Sequence, residues 1–390
     1  KNQCSLQSSS LEEVLNKAQT LSVIAGQSKL VKVWVHVVWH EDYQNISDAQ
    51  IESQIKALNR GFGGGGGRYG YKPSRWQNET ANACIQFELA GVTRKYTDST
   101  SFWPENNASR DSKPDPVKHD STGGSDAVDG HFNIWVCHLL MPAGFCLYGY
   151  GTFPNFRADL HPTGNEDGVV MDHRAFGDHT GTVGATSEGR EGDGCDGAYD
   201  GSWGSDAKDS GIIMVHEAGH FFGLRHIWGD GDCSRDDGVA DTPLQDQSSG
   251  QDCPGPSKET CGSLDMYENF MDYSGETCQS IFTCGQMNVM HANLEISPNR
   301  TNLLNGTTNS QGGLFSGIPC PGDSFAQCGQ ISNTTAPPGT TTTTTGGPGT
   351  TTTTQDPTLP GGACGECNEA GGWKCCRKAG CIPCDTDKPN

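Results

Sequence analysis

Residues 216–226 read His-Glu-Ala-Gly-His-Phe-Phe-Gly-Leu-Arg-His, and this segment constrains the chain more than any other. His216 and His220 are four residues apart, so on a helix they lie on one face and can bind one metal ion. Gly223 stands where such a helix must end, because glycine adopts left-handed backbone angles at little cost. The turn can bring His226 back as a third ligand, with Glu217 beside the first two. Three protein ligands and an adjacent general base predict a catalytic zinc site, in which one coordination position stays open for water.

The alternative interpretation is a buried helix whose histidines are satisfied by carbonyl groups. The preceding residues 211–215 are Gly-Ile-Ile-Met-Val, an apolar run suited to a helix packed under a sheet. This context and the complete spacing of the motif favour the metal site.

Composition indicates where the protein works. A net charge of −21 argues against nucleic acid or an anionic membrane as partner, and no apolar stretch reaches membrane-spanning length. Eighteen cysteines are too many for a reducing compartment. No signal peptide opens the chain, so we expect the numbering to start after its removal. We expect a secreted, extracellular, monomeric glycoprotein, with N-glycosylation sequons at Asn45, Asn78, Asn107, Asn299, Asn305 and Asn333.

The chain divides by composition into four parts. An N-terminal segment, residues 1–30, precedes a globular domain over 31–330, whose upper half spans about 31–223 and whose lower half spans about 224–330. Residues 331–361 are rich in Thr, Gly and Pro, cannot bury a core, and predict an extended, O-glycosylated linker. Residues 362–390 hold six cysteines and predict a small disulfide-held module.

The hydrophobic pattern predicts both strands and helices in the globular part. Ser47 and Gln50 form a capping-box pattern before an apolar helix face at Ile51, Ile55 and Leu58. The zinc helix is predicted from about residue 209 to 222, and a further helix from about 285 to 295. Strands are predicted at 31–39, 84–92, 132–140 and 169–171, with an edge strand at 148–153.

A second stretch follows the histidines at some distance. Met271 in a tight turn can form an apolar floor beneath the metal, and Tyr273 can donate a hydrogen bond to the oxyanion of a tetrahedral intermediate. An extended zinc motif followed by such a Met-turn is the metzincin pattern. The chain resembles the pappalysin family of metzincins, in its secreted fungal or ulilysin-like branch. The resemblance spans roughly residues 30–295 and is carried by residues 216–226, 237–243, 269–273, Cys278 and 282–286.

The resemblance implies an α+β metzincin-type catalytic domain. A twisted mixed sheet and the zinc helix would lie above the cleft, and an irregular, disulfide-held lower subdomain would lie below it. His216, His220 and His226 would bind zinc, Glu217 would activate the zinc-bound water, and Tyr273 would support the oxyanion above the floor formed by Met271. The resemblance also implies the disulfides Cys233–Cys261 and Cys253–Cys278, and structural calcium near Asp241 and Thr242.

Glu276 is the candidate specificity residue. Relatives in this family often prefer basic residues through an acid near the base of the pocket after the Met-turn, and Glu276 occupies a corresponding place, two residues before Cys278. The alternative is a surface glutamate with no role, since glutamate is mostly exposed. The hypothesis is cleavage beside Arg or Lys.

Several cysteines leave alternatives open. Cys4 is either a temporary zinc ligand in a pro-segment or a disulfide partner, and the even count of twelve cysteines before the linker favours the disulfide. Cys284 predicts an extra disulfide, with Cys320 or Cys328 as candidate partners. In the tail, three disulfides are favoured over a zinc site, and Trp373 is a candidate for binding a polysaccharide or another surface.

The sequence therefore predicts a secreted zinc endopeptidase acting on protein or peptide substrates. One alternative is a non-catalytic secreted binding protein on a metalloprotease scaffold, with the C-terminal module binding polysaccharide. Another is a zinc hydrolase of glycans or esters. Glu217 argues against the first alternative and the Met-turn against the second.

Overall fold

The computed structural model describes residues 28–68, 70–102, 115–140, 147–154, 166–178, 208–250 and 253–305, together with Val14, Asn16 and the strand residues 373–374 and 382–383. The chain forms two compact units, Lys1–Gly339 and Thr340–Asn390.

A five-stranded mixed sheet is the framework of the first unit. Its strands are β1 (Lys29–Trp39), β3 (Ile85–Tyr96), β4 (Phe132–Cys137), β5 (Gly149–Gly151) and β6 (Gly168–Asp172). Their order across the sheet is β3-β1-β4-β6-β5. The first four run parallel, and β5 pairs antiparallel with β6 at the edge. All six residues of β4 are buried, as expected for a central strand covered on both faces, and β1 is buried at Val31, at Val33 and over residues 35–38.

Two helices cover one face of this sheet. Helix α1 (Asp48–Phe62) begins at Ser47, whose hydroxyl accepts a hydrogen bond from the Gln50 amide over 3.2 Å, and it buries the predicted face at Ile51, Ile55 and Leu58. Helix α2 (Ile212–Phe221) carries the motif histidines. One buried apolar cluster joins these helices to the sheet and includes Val33, Leu58, Phe132 and Val215.

The region after α2 has little regular structure. Its strands are short: β7 (Glu259–Thr260) pairs with β8 (Ser263–Leu264), and β9 (Phe282–Thr283) pairs with β2 (Thr80–Ala81), which lies before α2 in the chain. Helices α3 (Cys284–Ile296) and α4 (Pro298–Asn305) follow. Thr283 and Gln286 form a capping box at the start of α3.

The predicted fold class is confirmed: the protein is α+β with a mixed sheet and disulfides in an irregular lower half. The predicted strands and helices are found with ends shifted by a few residues, while α4 was not predicted. In the second unit, β10 (Trp373–Lys374) pairs antiparallel with β11 (Ile382–Pro383), and the six tail cysteines lie outside the described residues. Within the described part of the chain, no helix is both long and apolar enough to cross a membrane.

Candidate metal centre and active site

The three motif histidines converge. Helix α2 presents His216 and His220, and the chain then turns at Gly223, whose φ of 98° lies in the left-handed region that favours glycine. A side chain at Gly223 would also collide with the amide of Asn293. The turn brings His226 back, so that one ligand atom from each histidine lies within 4.8 Å of the others.

Hydrogen bonds at the other ring nitrogens fix the orientation of the three imidazoles. Nδ1 of His216 lies 2.6 Å from the Phe270 carbonyl oxygen, and Nδ1 of His220 lies 2.8 Å from that of Leu224. Nδ1 of His226 lies 2.6 Å from a carboxylate oxygen of Asp230. Because these oxygens only accept, each Nδ1 carries the proton and each Nε2 offers a lone pair.

The Nε2 atoms have the environment of metal ligands. Nε2 of His216 is buried and has no hydrogen-bond partner among the described residues. Nε2 of His220 and Nε2 of His226 are 3.1 Å apart, so two lone pairs face each other. A cation bound by all three Nε2 atoms would pair the buried nitrogen of His216 and would remove the repulsion between the lone pairs of His220 and His226. Zinc suits a donor set made only of imidazoles. The residues therefore fit the zinc that the motif implies.

Electrostatics keeps the two helical imidazoles neutral. Burial, followed by the neighbouring imidazoles, lowers the pKa of His216 well below its ordinary value. Burial and His226 lower the pKa of His220 to about 3. Both rings are therefore ready to bind a metal at neutral pH, since only neutral imidazole is a ligand.

Glu217 lies where α2 faces the edge strand β5. A Cβ added at Gly149 would lie 3.4 Å from Cγ of Glu217, and one added at Gly151 would lie 2.7 Å from the Glu217 carbonyl oxygen. Strand and helix can approach this closely only because both positions are glycine. The edge strand thus runs directly beside the candidate general base and beside His220.

Met271 packs against helix α2, and Tyr273 packs against the rings of His216 and His226. Met271 is fully buried, and its sulfur packs so closely against Gly219 of α2 that a side chain at Gly219 would collide with it. The ring of Tyr273 lies 4.7 Å from that of His226 and is 42% exposed. Burial and the charges of Glu217 and Asp230 raise the pKa of Tyr273, which keeps its hydroxyl protonated as a donor.

Glu276, the candidate specificity residue, is not the surface glutamate of the alternative interpretation. Its side chain is fully buried beneath the start of α2. One oxygen accepts from the Ile213 amide at 3.2 Å, and the other accepts from the Asp209 amide and from the amide and hydroxyl of Ser210. The N-cap residue of α2 is Gly211, which has no side chain to cap the helix, so Glu276 supplies the missing acceptor.

Asp241 and Thr242, the candidate calcium residues, both bond to protein groups. The Asp241 carboxylate accepts from the Thr283 hydroxyl at 2.6 Å and from the Gly285 amide at 2.8 Å. The Thr242 hydroxyl lies 2.8 Å from one oxygen of Asp237. The other oxygen of Asp237 is buried without a hydrogen-bond partner in the described part of the chain.

A second cluster of candidate metal ligands comprises His138, Asp172 and His173, at the carboxyl ends of β4 and β6. The Asp172 carboxylate already accepts four hydrogen bonds within 3.0 Å, three from Arg174 and one from the Leu139 amide. A metal ion would have to displace this buried ion pair, so the motif histidines are the better site.

The cysteines form the two disulfides that the resemblance implied, Cys233–Cys261 and Cys253–Cys278. Cys284 is disulfide-bonded, as predicted, and so is Cys84. Cys137 is a free, buried thiol. The even cysteine count therefore does not by itself imply that Cys4 is paired. Cys4 and the candidate partners of Cys284, Cys320 and Cys328, lie outside the described residues.

Three residues that contact the site carry no motif signal. The indole of Trp228 stacks on the ring of His226, Asp230 bonds to the same ring, and Arg300 bonds to the last carbonyl of α2. An Asp four residues after a histidine was visible in the sequence, but only the loop conformation directs it back to that ring.

Three converging imidazoles, a glutamate beside them and a buried methionine beneath the helix are the components of a metzincin-type zinc metalloprotease site. The model of peptidase family M43, described as pregnancy-associated plasma protein-A, matches residues 183–295. Among solved structures, mature mirolysin of Tannerella forsythia in complex with a cleaved peptide is 34% identical, with a TM-score of 0.55. That match covers 71% of this chain and 98% of mirolysin. The chain belongs to this family, the pappalysins.

Two further relatives are consistent with this family assignment. A promirolysin mutant of Tannerella forsythia is 32% identical, with a TM-score of 0.59, and the match covers 77% of this chain and 92% of that one. An extracellular metalloprotease of Arthroderma benhamiae is 27% identical over 282 residues, covering 71% of this chain and 81% of that protein.

Proposed function

We propose that this chain is a secreted zinc endopeptidase that hydrolyses internal peptide bonds of protein or peptide substrates. The observation that carries the proposal is the convergence of three imidazoles, with Nε2 of His220 and Nε2 of His226 3.1 Å apart, beside Glu217 and the edge strand β5. His216, His220 and His226 would hold one zinc ion. When bound, zinc supplies a Lewis acid that polarises the scissile carbonyl and makes water a nucleophile near neutral pH.

Glu217 is the general base. Its carboxylate accepts a proton from the attacking water and passes it to the leaving amine, so it works in both halves of the reaction. Tyr273 donates a hydrogen bond from its hydroxyl to the oxygen that becomes negative in the tetrahedral intermediate. The raised pKa of Tyr273 suits a donor, and its partial exposure leaves it accessible to substrate.

The edge strand supports an extended substrate. In the described part of the chain, β5 pairs with β6 on one side and with no strand on the other. A peptide can add to such an open edge through main-chain hydrogen bonds, which gives affinity without dependence on side chains. Because Gly149 and Gly151 lie against Glu217, a peptide bound there would pass beside the base.

The test compares hydrolysis of casein or a peptide by the wild type, by Glu217→Ala and by chelator-treated protein. We expect Glu217→Ala to retain zinc, with a rate reduced by several orders of magnitude because its general base is lost. Chelation should abolish hydrolysis, and added zinc should restore it. Hydrolysis by Glu217→Ala at the wild-type rate would refute the mechanism. Binding without hydrolysis by the wild type would favour the non-catalytic alternative.

Preference for Arg or Lys beside the cleaved bond is part of the proposal. The net charge of −21 supports it, because an acidic protein attracts basic segments at long range. Glu276, the residue proposed to bind the basic side chain of the substrate, is buried and accepts four hydrogen bonds from the start of α2. Cleavage of a peptide library that reveals no basic preference on either side of the bond would rule the preference out.

Structural calcium near Asp241 and Thr242 is also proposed. Support comes from their neighbour Asp237, because burial and the nearby carboxylates of Asp236 and Asp241 raise the pKa of Asp237 well above its ordinary value. A cation is the usual partner for a buried acid beside other acids. If calcium binds there, a calcium chelator that spares zinc should lower the unfolding temperature, and Asp237→Asn should abolish that effect.

The remaining proposals concern location and organisation. We propose a monomeric glycoprotein with a catalytic domain over 31–330, a linker over 331–361 and a six-cysteine module over 362–390 that binds polysaccharide. Among the sequons, Asn78 is exposed, whereas Asn45 and Asn299 are partly buried. Asn107 and Asn333 lie outside the described residues, and Asn305 ends α4. Pull-down by insoluble polysaccharide, with and without the tail, tests the module, and equal retention would exclude it.

A further inference from the structure

His226 is held differently from the other two histidines. His216 and His220 are buried on α2, and each Nδ1 atom meets a main-chain carbonyl. His226 lies on a loop after the helix, and its Nδ1 atom meets a carboxylate oxygen of Asp230 at 2.6 Å. The third ligand therefore depends on a charged side chain only four residues away.

The same loop restrains the plane of the His226 ring. The indole of Trp228 lies parallel to it, with ring centroids 4.3 Å apart and an interplanar angle of 4°. Tyr273 meets the His226 ring edge-on at 4.7 Å and the Trp228 ring at 4.8 Å. With its face covered and its Nδ1 atom bonded, the His226 ring retains one direction for its Nε2 atom, toward His220.

The loop adopts an unusual backbone to do this. Gly229 and Asp230 have φ values of 61° and 54°, two consecutive residues in the left-handed region. Aspartate tolerates the left-handed region better than most residues, but a left-handed conformation is still uncommon at any residue other than glycine. Its presence at Asp230 indicates that the surrounding structure imposes this conformation. A Cβ at Gly229 would lie 3.0 Å from main-chain atoms of Asp236, so the loop is also tightly packed.

We propose that Asp230 is a positioning residue that holds His226 in the tautomer and orientation required of the third zinc ligand. A carboxylate on the distal nitrogen fixes the tautomer of a ligating imidazole and makes it a stronger donor. Asp230 acts through His226 and does not itself touch the metal. The inference rests on the proposed zinc site.

Three substitutions separate the carboxylate from the backbone strain. Asp230→Asn keeps a residue that tolerates the left-handed region but removes the charge. Asp230→Gly removes the whole side chain without strain, because glycine adopts left-handed backbone angles freely. Asp230→Ala removes the carboxylate but strains the backbone at this position. Asp232→Asn is the matched control, because Asp232 lies on the same loop and its side chain accepts hydrogen bonds only from Ser234 among the described contacts.

Zinc affinity, measured by competition with a chromogenic chelator, is the main readout, and chemical denaturation of the zinc-free proteins is the second. We expect all three Asp230 variants to bind zinc about 10- to 100-fold more weakly than the wild type, with Asp230→Asn the least affected. Asp232→Asn should match the wild type. The zinc-free Asp230→Gly protein should unfold no more easily than the wild type, which would exclude a merely structural role.

Wild-type zinc affinity in Asp230→Asn and Asp230→Gly would overturn the inference. A loss confined to Asp230→Ala would also overturn it, because backbone strain would then be the cause. If the wild-type chain itself bound no zinc, the proposed function would fail instead, so the two failures are distinguishable.

Discussion

The guanidinium of Arg300 donates a hydrogen bond from Nε to the carbonyl oxygen of Phe221, the last residue of helix α2, over 2.6 Å. This arginine is fully buried. It also donates to the Thr152 carbonyl at 2.8 Å and forms an ion pair with Asp167. A single side chain from α4 thus joins the end of the zinc helix to the segments that flank strands β5 and β6.

Replacing Arg300 with methionine should destabilise the fold by about 3–5 kcal/mol, because the charge of Asp167 would remain buried without its partner. Denaturant unfolding measures this loss. The double variant Arg300→Met with Asp167→Asn should recover part of it, since it leaves no uncompensated charge. Equal stability of the single and double variants would contradict the role assigned to the pair.

Replacing Gly151 with alanine should impair the active site more than the fold. Its added Cβ would lie 2.7 Å from the Glu217 carbonyl oxygen and 3.3 Å from Cβ of His220, so strand β5 must move away from α2. We expect a higher KM and a lower kcat on extended peptides. Gly255→Ala is the control, because a Cβ there meets no atom within 4 Å. Equal kinetics of the two variants would show that the spacing of β5 and α2 does not matter.

The parts of the site that sequence could predict are those fixed by local spacing. His216 and His220 share a helix face because of the helical period, and Gly223 requires the turn that returns His226. The capping residue Ser47 and the buried strand at 31–39 were predicted for the same reason, since each depends on neighbours a few residues away.

The roles that sequence could not predict depend on contacts between distant segments. Glu276 accepts from Ser210 and Ile213, more than sixty residues earlier, and Arg300 reaches back to Phe221. Spacing cannot reveal such partners, because an acid after a Met-turn looks the same whether it lines a pocket or caps a helix. Trp228 and Asp230 were missed for a different reason: their contacts with His226 are local, but they depend on left-handed backbone angles.

His291 should make the fold less stable in mild acid. It is buried, with Nε2 2.7 Å from the Ala83 carbonyl oxygen, and burial lowers its pKa despite that bond. Below the ordinary histidine pKa of about 6.5, the unfolded chain gains a proton that folded His291 resists, so stability falls as pH decreases.

The contribution of this single group reaches at most about 1.4 kcal/mol per pH unit. Unfolding free energies at about pH 7.5 and about pH 5.5 should therefore differ less in His291→Gln than in the wild type. The measurement uses zinc-free protein, so that metal release does not add to the slope. Identical pH dependence in the two proteins would contradict the assignment.

Glu276→Gln decides between two roles for one residue. If Glu276 caps α2, the amide has one acceptor oxygen for four donors, and the start of the helix that carries His216 and Glu217 loosens. We then expect kcat to fall by a similar factor on peptides with basic, neutral or acidic residues beside the cleaved bond, with unfolding free energy lower by about 1–3 kcal/mol. Ser210→Ala, which removes one of these donors, should cause a smaller change of the same kind.

If Glu276 instead binds a basic side chain of the substrate, the loss of activity would be confined to Arg and Lys substrates and would appear in KM. Ser210→Ala would then leave selectivity unchanged.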